Sequence, residues 1–117
     1  MKRFRAQVSP EERFGVRGGA GRAVLCPYVQ PGEMAGVEFV SLVTLDPAAS
    51  IGEHLHPAEQ ELYLVLEGQG EALLDGERFA VGPRDAFLCK AGHTHGLHNT
   101  GAEALTFLAV LVKVRKA

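Results

Sequence analysis

What most constrains this chain is its punctuation. Short runs rich in β-branched, aromatic and other apolar residues recur along it: Arg22–Val29, Val37–Leu45, Leu62–Leu66, Glu71–Leu74, Arg78–Val81, Ala86–Cys89 and Leu105–Val112. Pro31-Gly32, Asp46-Pro47 and Asp75-Gly76 fall between them, turn formers whose backbone preferences end a strand. Asp75-Gly76 is the strongest, because both residues tolerate the positive φ that a two-residue hairpin needs. Only Ser9-Pro10-Glu11-Glu12 reads as helical, with an N-cap serine, a proline at the first helical position and a glutamate three residues after the cap. About eight strands at 8–12-residue spacing and one short turn predict an all-β sandwich or barrel.

At 117 residues, 46% hydrophobic and 22% charged, the chain is long enough to bury a core without disulfide staples. One domain spanning 1–117 is expected, with no internal repeat or linker to divide it. Two cysteines, Cys26 and Cys89, do not make a disulfide framework, so reduced thiols and a cytoplasmic setting are expected. The longest apolar run, Leu105–Val112, has eight residues, far short of the ~18 that cross a bilayer. Met1-Lys2-Arg3-Phe4-Arg5 is basic but leads into no apolar run, so neither a membrane span nor a secretory signal is expected.

The net charge of −2 conceals an asymmetry: residues 1–22 carry six basic and two acidic side chains, residues 23–112 three basic and twelve acidic. The basic residues of this N-terminal arm alternate with Phe4, Val8, Phe14 and Val16 and never form a block. A solvated or intramolecular role therefore fits better than a grip on nucleic acid. The loop Gly15–Gly21 is too glycine-rich for regular structure, and no Gly-Lys-Ser/Thr follows it to make a phosphate cradle.

Chemistry concentrates in two histidine clusters, His54 and His56, then His93, His95 and His98. On a strand, residues i and i+2 share a face about 6–7 Å apart, so His54-Leu55-His56 presents two imidazoles together. Neutral imidazole suits first-row transition metals, yet two surface histidines also arise by chance. Glu61 opens a strongly apolar strand, where a buried unpaired carboxylate would cost several kcal/mol. It is either an exposed strand-start residue or an anionic ligand turned inward with the histidines.

The chain resembles the cupin superfamily. The first motif of that family, G-x5-H-x-H-x4-E-x6-G, is matched by His54, His56, Glu61 and Gly68, and the second, P-x-G-x2-H-x3-N, by Gly92, His95 and Asn99. The likeness runs from about residue 40 to residue 112. Three turn positions depart from the pattern: Ala48 replaces the leading glycine, Arg84-Asp85 replaces Gly-Asp, and Lys90 replaces the proline. The resemblance implies a double-stranded β-helix, or jelly-roll barrel. It also implies one divalent transition metal (Mn, Fe, Ni, Zn or Cu) held by His54, His56, Glu61 and His95. Such a site leaves about two positions of an octahedral ion for water or a ligand.

Around this set the assignments are looser. His93 shares the parity of His95 and could carry a proton beside the metal or sit in solvent on the rim. Tyr63 shares the parity of Glu61 and could offer its hydroxyl to a ligand or simply pack in the core. His98 is out of phase and expected outside. Phe87 and Cys89 should contribute apolar wall, and Lys90 and Arg84 should sit on the rim. The family hosts many activities, and fold alone does not choose among them. The expected function is a mononuclear metalloenzyme acting on a small oxygen-rich or carboxylate metabolite, as isomerase, lyase or dioxygenase. The alternative is a non-catalytic module that binds a small sugar or carboxylate. Leu105–Val112 is apolar on both faces, and Leu62, Leu64 and Leu66 add an outward row; a homodimer would cover them.

Overall fold

The computed structural model describes residues 1–114. Ten strands are present in it: β1 (Glu11–Phe14), β2 (Arg22–Val29), β3 (Val37–Leu45), β4 (Ser50–Leu55), β5 (Glu59–Glu67), β6 (Gly70–Leu74), β7 (Glu77–Val81), β8 (Ala86–Cys89), β9 (Thr94–Asn99) and β10 (Leu105–Lys113). They form two antiparallel sheets, β1-β2-β3-β10-β5-β8 and β4-β9-β6-β7, the jelly-roll arrangement expected from the motifs.

Strict alternation builds the interior. In β10, Leu105, Phe107, Ala109 and Leu111 are buried, while Thr106, Leu108, Val110 and Val112 are half-buried on the other face. Val43 and Leu45 of β3, Tyr63 and Val65 of β5 and Leu97 of β9 meet Leu105, Phe107 and Ala109 in one core. Each fully buried aliphatic or aromatic side chain contributes about 1.5–3 kcal/mol of transfer free energy. The Asp75-Gly76 hairpin forms as expected, with φ 49 and 79° and Leu74 paired to Glu77.

Two family positions have structural explanations. A side chain at Gly68, where φ is 92°, would place its Cβ 2.6 Å from the Ala104 carbonyl oxygen. Asn99 is buried, its Nδ2 lying 3.1 Å from the carbonyls of Leu45 and Asp46 and 2.9 Å from that of Glu103, while its Oδ1 accepts from Gly101 N–H. It thereby ties the end of β9 to the segments that follow β3 and precede β10.

The arm departs from expectation. Glu11–Phe14 is a strand, not a helical turn, pairing Glu11 with Leu25 through Phe14 with Arg22. The edge of β2 offers a ladder that a single capped turn cannot match, and Pro10 precedes the strand, where its missing N–H is not needed. The helical turn forms earlier, at Arg5–Gln7, where the Gln7 side chain accepts from Phe4 N–H at 2.7 Å. The glycine-rich loop is also more ordered than its composition suggests: Val16–Gly18 makes a tight turn with Arg17 at φ 54°, ψ 34°.

Candidate metal centre

Strand register brings the two histidine clusters together. β4 pairs with β9 so that His54 lies opposite His95, after an irregularity between Ile51 and His54. His56 follows β4, held in place by its own N–H donating to the His93 carbonyl and its carbonyl accepting from Gly92 N–H. Glu61 lies on β5 in the other sheet, flanked by Leu111 of β10 and Cys89 of β8. Thus one wall supplies the imidazoles and the other the carboxylate.

The four donors converge on one point. His54 Nε2 and His56 Nε2 are 3.1 Å apart, His56 Nε2 and His95 Nε2 3.1 Å, and His95 Nε2 and His54 Nε2 3.2 Å. Glu61 Oε1 lies 3.1 Å from His56 Nε2 and 3.0 Å from His95 Nε2. Ligands about 2.1 Å from one ion are about 3.0 Å apart at right angles and about 3.4 Å apart at the tetrahedral angle. The observed edges fall inside that range, so the residues fit a single transition ion.

The protonation pattern agrees. His54 Nδ1–H donates to the Gly52 carbonyl at 2.7 Å, which turns the lone pair of Nε2 inward. Burial holds the pKa of His54 down at about 4, so the ring is neutral at pH 7. His56 Nδ1 faces Glu59 at 3.7 Å. Partners on the far ring nitrogen orient metal-ligating histidines in this way. Three ring nitrogens crowded on one another, beside a buried carboxylate, form a costly arrangement without a cation among them.

Above the cluster lies a cavity of about 140 Å³, lined by His54, His56, Glu61 and Tyr63, with apolar side chains such as Phe39 and Phe107 around them. Tyr63 is buried, its ring 4.6 Å from those of His95 and Phe107. Burial, and then the Glu61 carboxylate, hold its pKa well above the usual value, so its hydroxyl stays protonated. The cavity wall also includes Arg13, Val16 and Arg17 from the N-terminal arm. None of these was expected there from the sequence. The hint that was available is an arginine set among Gly15, Gly18 and Gly19, glycines that let a loop approach other backbone closely.

Other expected positions fall elsewhere. His93 precedes β9, is exposed, and binds the Asp75 carboxylate through Nδ1. It borders a surface recess with Lys90 and Leu88, apart from the cavity. That is the solvent alternative of the two its parity left open, since His93 is not yet in the strand. His98 is exposed; Phe87 and Cys89 are buried. Arg84 stands at φ 73° in the turn before β8, its N–H on the Val65 carbonyl.

Comparison with known proteins decides the family: the cupin domain matches residues 41–111. The chain is a cupin. It is 29% identical over 108 residues to an oxalate-binding protein of Thermotoga maritima, covering 92% of this chain and 89% of that protein. It is 36% identical over 97 residues to polyketide synthase CurC of Streptomyces cyaneus, covering 83% of this chain and 59% of that one. A Thermotoga maritima crystal structure described as a predicted oxalate decarboxylase superposes with a TM-score of 0.93 at 28% identity, over 97% of this cupin and all of that chain. The match contains all four converging donors, whereas the arm residues at the cavity precede it.

Proposed function

We propose that this cupin holds one divalent transition ion through His54, His56, Glu61 and His95 and binds a small carboxylate, of the size and kind of oxalate, in the cavity beside it. The observation that carries the reading is the pairing of a convergent three-imidazole, one-carboxylate set with a small cavity that is otherwise mostly apolar. The ion supplies a Lewis-acid centre with coordination positions left for ligand oxygens. His54 is oriented for this by the Gly52 carbonyl. Tyr63, kept protonated, serves as a hydrogen-bond donor rather than a base. The Thermotoga maritima oxalate-binding protein supports the ligand class.

Proton transfer to or from a bound ligand needs a group that changes protonation near the working pH. Among the described residues, the cavity wall apart from the four donors offers Tyr63, kept protonated by burial, and Arg13 and Arg17, side chains that donate hydrogen bonds and cannot accept them. Binding is therefore favoured over isomerase or lyase chemistry. The second reading is metal-dependent breakdown of the same ligand, supported by likeness to the crystal structure described as a predicted oxalate decarboxylase. Incubating the manganese-loaded protein with oxalate, with and without oxygen, separates the two. Calorimetric binding with oxalate recovered unchanged supports the binding module, and carbon dioxide with formate supports the enzyme. Absence of oxalate binding by the metal-loaded protein would overturn both.

The whole chain, arm included, acts in this proposal as one domain. The free thiols Cys26 and Cys89 support a cytoplasmic setting. Two-fold pairing through the outer face of the larger sheet, where Leu62, Leu64, Leu108 and Val110 are half-buried and Leu66 and Leu88 exposed, supports a homodimer.

A further inference from the structure

Arg17 stands at a backbone position that its neighbours hold in place. A non-glycine residue seldom adopts the left-handed backbone seen here, and Arg17 does so between Gly15 and Gly18. The turn is pressed onto β4: a Cβ on Gly52 would lie 2.2 Å from the Arg17 carbonyl oxygen, and a Cβ on Gly19 2.2 Å from the Ser50 carbonyl oxygen. Two hydrogen bonds fasten it, Ser50 N–H to the Ala20 carbonyl at 2.8 Å and Ala20 N–H to Ser50 Oγ at 2.9 Å. The Gly52 carbonyl that orients His54 is thus one residue's breadth from the turn that presents Arg17.

Its charge is also uncommitted. Arg3, Arg13, Arg22 and Arg78 each form an ion pair with a carboxylate, but Arg17 forms none among the described residues. Its side chain lines the same cavity as His54, His56, Glu61 and Tyr63. A divalent ion with the Glu61 carboxylate leaves a local charge of about +1, and Arg17 brings this to about +2. A singly charged ligand leaves that sum uncancelled; a dianion cancels it.

From this fixed position and unspent charge we propose that Arg17 reads the ligand, selecting a compact 1,2-dicarboxylate dianion over monoanions and over neutral chelators. The inference rests on the proposed carboxylate binding and specifies it further. A 1,2-dicarboxylate that turns one oxygen of each carboxylate toward the histidine and glutamate cluster points its other two oxygens away from it. Apart from the cluster, Arg17, Tyr63 and Arg13, the rest of the cavity wall is apolar. The planar guanidinium fork matches such a pair of oxygens, giving two parallel charge-assisted hydrogen bonds. Arg13 on the same wall is a poorer candidate because Glu11 takes its Nη2 at 2.7 Å.

The test compares oxalate with catechol, a chelator of similar bite that has no outward carboxylate oxygens. Calorimetric titration of manganese-loaded wild type, Arg17→Gln and Arg17→Lys is run beside elemental analysis of each protein. Arg17→Gln should lose roughly 10- to 100-fold in oxalate affinity, with catechol affinity changed less than about three-fold and metal content unchanged. Arg17→Lys, which keeps the charge but not the fork, should fall between wild type and Arg17→Gln. Equal oxalate affinity in wild type and Arg17→Gln overturns the inference and leaves carboxylate binding standing. A parallel loss of oxalate and catechol affinity also overturns it, since Arg17 would then act on the metal or the fold. Wild type that binds catechol but not oxalate overturns the carboxylate reading itself, and the inference with it.

Discussion

Gly52→Ala tests how the arm is attached to the barrel. The added methyl would sit 2.2 Å from the Arg17 carbonyl oxygen and 2.8 Å from Gly19 N. Real Cβ contacts are essentially never below 3.0 Å, so one backbone must retreat by about 0.8 Å. β4 is held by its ladder to β9, whereas the turn hangs chiefly on the Ser50 N–H and Ala20 N–H bonds. The turn should therefore give way. Losing two hydrogen bonds at about 1 kcal/mol each, or keeping them under comparable overpacking strain, predicts a loss of about 2–3 kcal/mol. For a domain of this size that lowers Tm by about 8–15 °C. Scanning calorimetry of chelated protein is the assay, so that metal linkage does not mask the effect. Gly18→Ala is the control: its Cβ meets nothing within 4 Å, but φ is 78°, so backbone strain alone should cost about 1–2 kcal/mol. A Gly52→Ala protein within about 2 °C of wild type would refute the account of the arm as a docked part of the site.

Three further outcomes are expected. Protein purified without chelator should carry close to one first-row transition ion per chain by elemental analysis, and the double change His56→Ala, His95→Ala should lose it while far-ultraviolet circular dichroism stays native, because it leaves the buried apolar side chains Phe107, Leu45, Leu97 and Leu105 in place. Chelated wild type should lose stability as pH falls from about 6.5 to about 4 and then level off, as far as His54 is concerned: its pKa is 6.5 in the unfolded chain and about 4 in the fold, so the unfolded state binds the extra proton across that window, and denaturant titration across it gives the slope. Light scattering at micromolar concentration should return a dimer mass, and Leu108→Lys with Leu64→Lys, on neighbouring strands of the outer face, should return a monomer that remains folded.

How far the sequence could be read depends on which forces are local. β2, β3 and β8 could be read to the residue because their apolar runs are bounded by turn formers. The converging donor set was legible through spacing, since the His-x-His spacing places His54 and His56 together and motif likeness adds Glu61 and His95. Ser9–Glu12 misled because its capping signature is local, while the ladder with β2 that wins comes from residues more than ten positions away. His93 falls on the solvent side of the two alternatives its parity left open, because it lies one residue before β9, in a stretch where the Asp75 carboxylate captures the imidazole. Arg17 was invisible for a different reason: its place at the cavity is set by backbone packing against Gly52 and Gly19, and no periodicity records that contact.

This division has a consequence for how such a barrel can change its ligand. The four donors lie within residues 41–111, on or next to strands whose alternate side chains fill the core, so altering that stretch disturbs packing worth several kcal/mol. Arg13, Val16, Arg17, Leu25 and Phe39 line the same cavity from outside it. The Val16–Gly18 turn is held chiefly by backbone contacts, through Gly19, Ala20, Ser50 and Gly52, which leaves the exposed Arg17 side chain free of structural duty. A substitution at Arg17 can therefore alter charge and shape at the cavity mouth without reordering the core or moving a donor atom. Under the proposed function, metal holding and ligand reading are separable in this chain, one built into the barrel and the other laid over its mouth by the arm.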